Sequence, residues 1–108
     1  MLSILPGKEA TDREMFDRYS GPDREKFADW HRRNGFTRHS VWHQKLPDGT
    51  TLAIVLLEAD DVQAFAAAGT SPDEFAREFR RSVGDVHGVD LATAPPPDVV
   101  PIFDWRAQ

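Results

Sequence analysis

The chain contains no cysteine. This excludes disulfides, thiolate nucleophiles and cysteine-ligated metal sites, and it fits a reducing compartment. The chain also lacks an apolar run long enough for a membrane span or a signal-peptide core. Lys and Arg number 13 against 18 Asp and Glu, a formal net charge of −5. Because phosphate binding needs a concentrated basic surface, we expect no binding to nucleic acid. From the missing apolar run we expect a cytoplasmic protein that does not bind membrane.

What the chain does have is enough apolar material for one core. Its 108 residues are 40% hydrophobic, with 7 Phe, 3 Trp and 1 Tyr. This length and composition predict a single domain over residues 1–108. Three prolines at positions 95–97 predict a rigid connector within it. The sequence contains no nucleotide-binding glycine pattern, so we expect no nucleotide cofactor.

The segment from Phe36 to Ala59 is typical of a β-hairpin. Asp48-Gly49 follows a proline and strongly favours a hairpin turn. The runs on both sides are rich in β-branched and apolar residues. The first run mixes polar and apolar residues on both faces and predicts an edge strand, while the second is apolar on both faces and predicts a central strand. The register stays open. A two-residue loop places His43 opposite Ile54, whereas a three-residue loop places Trp42 there.

The residues before the hairpin predict a short strand and a broken helix. Residues 2–5 are apolar and end at a Pro-Gly turn. A capping box at residues 11–14 predicts that a helix starts there. Ser-Gly-Pro-Asp at 20–23 then interrupts it, and a second segment runs over 22–33, ended by Asn34-Gly35 in a left-handed cap.

The residues after the hairpin predict two helices and a last strand. Asp60 is expected to cap a short helix that reaches residue 68. The start signal at 71–74 precedes Phe75, Phe79 and Val83, whose spacing places them on one helical stripe. Apolar residues over 99–105 predict a strand, which Pro101 would place at a sheet edge.

The predicted order of elements is that of an α+β, ferredoxin-like βαββαβ fold with a four-stranded antiparallel sheet. Two right-handed crossovers place the helices on one face of such a sheet and leave the other face bare. A bare apolar face has to be covered, so we expect a homodimer that forms through it.

In element order and size the chain resembles the dimeric α+β barrel superfamily, near the antibiotic-biosynthesis monooxygenases and small polyketide cyclases. That resemblance implies a substrate pocket between the bare sheet face and the helices of one subunit, with His, Trp, Tyr or Asn in the chemistry. Locally the chain is similar to a group of small bacterial proteins, and this similarity implies a fold more than a function. This likeness is carried by PGKE at 6–9, VWHQ at 41–44, HGVDL at 87–91 and a proline-rich run ending in DW at 104–105.

Histidines are the strongest candidates for catalysis. His39 and His43 share a strand parity, yet their Cα atoms would be roughly 13 Å apart, too far to bind one metal ion. Either is a candidate general base, and the alternative is that it faces solvent or a dimer interface. His31 lies beside the apolar stripe of its helix, where burial lowers the pKa of an imidazole. It is a second candidate base, or else a core-edge histidine bonded to a carbonyl.

Tyr19 completes the catalytic candidates, because its hydroxyl can donate to a substrate carbonyl or oxyanion. The alternative is a packed ring with a wet hydroxyl. An aromatic ligand would need flat apolar walls and a few polar groups, for which we expect Trp30, Trp42, Phe27 and Asn34. Core packing explains the same aromatic residues.

Three functions follow from these candidates. The first is an enzyme without a cofactor that acts on a hydrophobic or aromatic carbonyl or phenolic molecule by His-assisted proton transfer, as a cyclase, isomerase, decarboxylase or oxygenase. The second is a non-catalytic protein that binds such a molecule, and the third is a dimerisation module. Heme, held by one axial histidine in an apolar pocket, is a minor alternative. Whether His31 and His43 meet across one pocket is left open by the sequence.

Overall fold

The computed structural model describes residues 1–61, 63–94 and 100–107. In chain order its elements are β1 (Leu2–Ile4), α1 (Glu9–Ser20), α2 (Arg24–Arg33), β2 (Phe36–Lys45), β3 (Thr51–Ala59), α3 (Gln63–Thr70) and α4 (Glu74–His87). The architecture is α+β, and the hairpin and the helix broken near residues 21–23 are both confirmed.

The sheet described here has three antiparallel strands in the order β1-β3-β2. The apolar strand β3 is central and the mixed strand β2 is at an edge, as predicted. Trp42 pairs with Ile54, which selects the three-residue loop over 47–49. In that loop the amide of Gly49 donates to Leu46, and Gly49 has a φ of 90° that favours glycine. This register places His39, Val41 and His43 on one face.

A β-bulge between Phe36 and Arg38 changes the facing of the first residues of β2. Simple alternation predicts that Phe36 shares a face with Arg38 and Trp42, and this prediction is wrong. The extra residue rotates Phe36 to the side of the histidines, because a bulge adds one position to the count of alternating side chains. Phe36 is consequently only 7% exposed and packs in the core.

The main core lies between the helices and this face of the sheet. Its buried members are Met15, Tyr19, Trp30, Phe36, Ala64, Phe75 and Ala76. A smaller cluster joins Ile4, Ala53 and Val86. Helix α4 contributes Phe75 and Phe79 of the predicted apolar stripe to the main core, and it contributes Val86, which lies outside that stripe, to the smaller cluster. The helices therefore cover one sheet face and leave the face of Trp42 and Ile54 without a covering layer among the described residues.

Three helix starts differ from the sequence prediction. Helix α1 begins at Glu9, because the carbonyl of Lys8 already accepts a hydrogen bond from the amide of Asp12, so Thr11 lies inside the helix and does not cap it. Helix α2 begins at Arg24, after a turn that contains Pro22. Helix α4 begins at Glu74, where the side chain of Asp73 accepts from the amide of Phe75.

Two further differences follow the hairpin. The side chain of Asp61, in place of the predicted Asp60, accepts a hydrogen bond from the amide of Gln63 at the start of α3. Residues 100–107 form no strand, and Ile102 is 95% exposed. The predicted last strand is therefore wrong for these residues, which bury little apolar surface and include a proline without an amide donor. The connector at 95–97 and Val99 lie outside the described residues, so the fourth strand is not confirmed.

Within the ranges described above, no helix is both long and apolar enough to cross a membrane.

Candidate functional site

A cleft of about 470 Å³ opens between α1 and β2 on the helix-covered face of the sheet. Its walls combine aromatic rings with polar and charged groups, namely Arg13, Phe16, Asp17, Tyr19, Ser20, Phe27, His39, Val41 and His43. Two of the four histidines of the chain therefore line the same cavity. Apolar walls with a few polar groups are typical of small-molecule sites.

The first polar element of the cleft is a pair formed by His43 and Asp12. Nε2 of His43 lies 2.7 Å from Oδ2 of Asp12, and the Asp12 carboxylate is 1% exposed. Helix α1 turns Asp12 inward because Asp12, Met15 and Tyr19 lie three and four residues apart, on one side of the helix. A carboxylate only accepts, so Nε2 of His43 carries the proton of this hydrogen bond.

The other oxygen of this carboxylate has no partner. Oδ1 of Asp12 is buried and makes no hydrogen bond within the described ranges. An unpartnered buried acceptor costs about 1–3 kcal/mol of stability, and more when it is charged. The Asp12–His43 pair thus lowers the stability of the fold by an amount that is large for a core of this size.

The second polar element is a chain of hydrogen bonds through two imidazoles. Nδ1 of His31 lies 2.8 Å from the carbonyl oxygen of Phe27, and Nε2 of His31 lies 3.0 Å from Nδ1 of His39. Since a carbonyl can only accept, His31 donates from Nδ1 and accepts at Nε2. His39 must then donate from Nδ1. Nε2 of His39 is left as an acceptor without a partner among the described residues.

Burial keeps both of these imidazoles neutral. Desolvation, and to a lesser degree the neighbouring His31, lowers the pKa of His39 to about 4. Desolvation also lowers the pKa of His31, against a smaller opposing effect of its bond to Phe27. The ring of Phe27 stacks on His31 with centroids 3.9 Å apart. Near neutral pH the pair is therefore uncharged, and its tautomers are set by the Phe27 carbonyl.

Tyr19 contributes its ring more than its hydroxyl. The ring packs among Phe27, Phe75 and Phe79, and the buried hydroxyl has no hydrogen-bond partner in the described part of the chain. Burial, reinforced by the nearby Glu78, raises the pKa of Tyr19 to about 12. The hydroxyl is accordingly protonated at neutral pH.

The residues predicted to bind substrate separate into three groups. Phe27 lines the cleft beside the histidines. Trp30 is buried in the core against Phe36, and the side-chain amide of Asn34 donates to the Trp30 carbonyl at the end of α2, so neither lines the cleft. Trp42 lies on the opposite face of the sheet and is 48% exposed.

The candidate catalytic residues also differ in whether they face the cleft. His39 and His43 both face the cleft, and His31 contacts His39 instead of His43. Sequence reasoning missed Asp12 and Arg13 of α1. A signal for Asp12 was present, because a lone carboxylate occurs at the helical spacing of Met15 and Tyr19 on an otherwise apolar side.

No protein-family model matches the chain, and neither does any curated protein or solved structure. The neutral imidazole of His39 can accept a hydrogen bond from a bound molecule at Nε2, and the imidazole of His43, bonded to a buried carboxylate, is placed to exchange a proton with it. Within the described ranges, no group of three or more His, Cys, Asp or Glu side chains could hold a metal ion.

Proposed function

We propose that the cleft between α1 and β2 is the active site of a small enzyme that needs no organic cofactor. Its substrate is a hydrophobic or aromatic carbonyl or phenolic molecule, and its reaction is a proton transfer of the isomerase or cyclase type. The observation that carries this proposal is the 2.7 Å contact between His43 and the buried carboxylate of Asp12 at the wall of the cleft. A buried carboxylate that holds an imidazole in one tautomer is a recurring arrangement for general bases.

In the proposed step, Nδ1 of His43 removes a proton from the carbon next to the substrate carbonyl. The electron pair of the C–H bond forms the C=C bond of an enolate, and the carbonyl electrons move to oxygen. His43 becomes an imidazolium, which the Asp12 carboxylate stabilises because the two are in direct contact. The imidazolium then returns the proton to a different atom of the enolate, so the reaction is balanced without any co-reactant.

The cost of this arrangement supports a functional role. A core selected for stability alone would not keep a carboxylate that is 1% exposed with one oxygen unpartnered. Local violations of stability rules concentrate at functional sites. The aromatic rings of the cleft walls also lower the local dielectric, which strengthens the electrostatic interactions inside it.

We further propose that the chain forms a homodimer through its uncovered sheet face and that the β1-β3-β2 sheet is part of a ferredoxin-like, dimeric α+β barrel. Support comes from Trp42, Leu52, Ile54 and Leu56, which share this face of the sheet. Apolar side chains on one sheet face stabilise a protein only when another layer covers them. A second copy of the chain supplies such a layer.

The proposed reaction is tested with a simple diketone, 1-phenylbutane-1,3-dione, in deuterated buffer. Proton NMR follows the exchange of its central protons with the wild-type protein, with His43→Gln and with His87→Gln. His87 is the matched control, because its side chain lies outside the cleft, where its Nδ1 bonds the carbonyl oxygen of Ser3. We expect the wild-type protein to accelerate exchange. His43→Gln should lower the rate of the accelerated exchange by about 100-fold or more, because a general base usually contributes a factor of this size.

The remaining outcomes separate the alternatives. Unchanged exchange with His43→Gln contradicts the role of this residue. Binding of the diketone without any acceleration supports the non-catalytic binding protein instead. An absorbance spectrum of the purified protein tests the heme alternative in the same preparation.

A further inference from the structure

We infer that His39 sets the specificity of the cleft, and that it selects ligands with a neutral hydroxyl donor, a phenol or an enol, which binds its Nε2. This inference rests on the proposed active site and names the class of molecule that the site accepts. The substrate class is then a hydroxyaryl carbonyl compound, with its hydroxyl at His39 and its reacting carbon at His43.

The direction of the hydrogen bonds determines which nitrogen of His39 accepts. The Phe27 carbonyl accepts from His31 at 2.8 Å, and His31 accepts from His39 at 3.0 Å. A backbone carbonyl has no proton to give, so neither bond can reverse while the rings stay neutral. Nε2 of His39 is therefore an acceptor only, and its orientation is set by a backbone atom on α2.

Nε2 of His39 is also accessible from the cleft. The fully buried and unpartnered side-chain polar atoms of the described residues are Oδ1 of Asp12, the Tyr19 hydroxyl and Nε1 of Trp30. Nε2 of His39 is not among them, although no hydrogen bond to it is present in these ranges, and His39 lines the cleft. A ligand in the cleft can thus reach this nitrogen.

Nε2 of His39 does not become a donor by taking a second proton onto the ring. Its ring is surrounded by Phe16, Phe27 and Phe79, with centroids 5.6 to 6.0 Å away, and by the other imidazole. None of these neighbours carries a negative charge that would stabilise an imidazolium. The lowered pKa of His39, caused first by burial, agrees with this reading.

The spacing of the two histidines then limits the shape of the ligand. His39 and His43 are four residues apart on one face of β2, so their Cα atoms are separated by roughly 13 Å. Val41 lies between them, and Phe16 and Phe27 line the same cleft. A flat aromatic ring fits between two such polar ends, because its faces bury apolar surface while its substituents reach both imidazoles.

The energetics predict a measurable preference. A hydroxyl satisfies Nε2 of His39, whereas a methyl ether in its place leaves this nitrogen unpartnered under the bound ligand. We therefore expect a difference in Kd of about tenfold or more. An ether of nearly the same shape is thus a stringent comparison.

The experiment compares the binding of 6-acetyl-2-naphthol with that of its methyl ether by calorimetry. We expect the wild-type protein and the control His87→Gln to bind the naphthol at least about tenfold more tightly. His39→Phe keeps a ring in the aromatic surroundings but has no acceptor, so we expect it to bind both compounds with similar affinity. His31→Phe removes the acceptor that orients His39, so we expect it to weaken the preference as well.

Nitrogen-15 NMR of the histidine rings provides a readout that needs neither ligand nor variant. At neutral pH we expect a protonated Nδ1 and an unprotonated Nε2 for His39. A proton on Nε2 of His39 overturns the inference, as does equal binding of naphthol and ether by the wild-type protein. Because these measurements concern binding and tautomers, a hydroxyl preference without any proton exchange contradicts the proposed catalysis alone. Exchange without a hydroxyl preference contradicts only the role of His39.

Discussion

Asp12 and His43 lie 31 positions apart in the sequence, and their side chains meet at 2.7 Å between the first helix and an edge strand. The contact joins a carboxylate that is 1% exposed to an imidazole that is 21% exposed. One partner is thus held in the core while the other reaches the cleft. This division suits the proposed role of His43 as a base, because the buried group fixes the orientation of the imidazole at the cleft.

Replacing Asp12 with Asn should reverse the tautomer of His43. The amide nitrogen of Asn can donate to Nε2, which moves the imidazole proton to Nδ1 and removes the lone pair that faces the substrate. We expect proton exchange of the diketone to slow by about 100-fold or more. Nitrogen-15 NMR should show the proton on Nδ1 of His43.

The control for Asp12→Asn is Glu14→Gln, which changes another carboxylate of α1 that is exposed and lies outside the cleft. Full exchange activity with Asp12→Asn, together with the reversed tautomer, would show that Nδ1 is not the base.

Acid should destabilise the protein through His39. In the unfolded chain its pKa is near the ordinary 6.5, whereas burial lowers the pKa to about 4 in the folded state. Between these values the unfolded state binds more protons, so the free energy of unfolding falls as the pH drops from 6.5 towards 4. The full effect is roughly 3 kcal/mol.

Urea titrations of the wild-type protein and of His39→Phe measure this effect. We expect the difference in unfolding free energy between the two to change in favour of His39→Phe as the pH is lowered through this range. Parallel pH dependences for both proteins would mean that His39 titrates normally in the folded state.

Phe75 should be a main support of the core. It is 3% exposed and packs against Tyr19, Trp30 and Phe79. Phe75→Ala should cost about 3–5 kcal/mol of unfolding free energy, because it removes buried surface and leaves a cavity. Phe65→Ala is the comparison, since Phe65 is 38% exposed and should cost clearly less. Equal losses in urea unfolding would contradict this assignment of the core.

The uncovered sheet face can be tested through Ile54, which pairs with Trp42 on that face. If the homodimer forms there, Ile54→Lys should shift the protein to monomer in sedimentation experiments, because it places a charge in an apolar interface. Ile102→Lys changes another apolar residue, exposed in the C-terminal segment, and should leave the dimer intact. A wild-type monomer at high concentration would exclude the proposed dimer.

Local patterns predicted the secondary structure well where turn chemistry and hydrophobic pattern agreed. The Asp48-Gly49 turn marked the hairpin, and the apolar run before Ala59 marked the central strand. Helix starts were less accurate, because residues 11–14 match a capping box while the chain enters α1 from the Pro6-Gly7 turn. A capping pattern indicates which backbone amides a side chain can bind, whereas the preceding turn determines where the helix begins.

The chemistry of this protein was bounded by the sequence and decided by the fold. Residue types alone supplied imidazoles without any thiol, and strand parity placed His39 and His43 on one face. Which face the helices cover depended on a three-residue loop and on a bulge after Phe36. The partners Asp12 of His43 and His31 of His39 come from helices that only packing brings to the strand. Sequence spacing governs neighbours within one element, whereas contacts between elements depend on how their apolar faces are buried together.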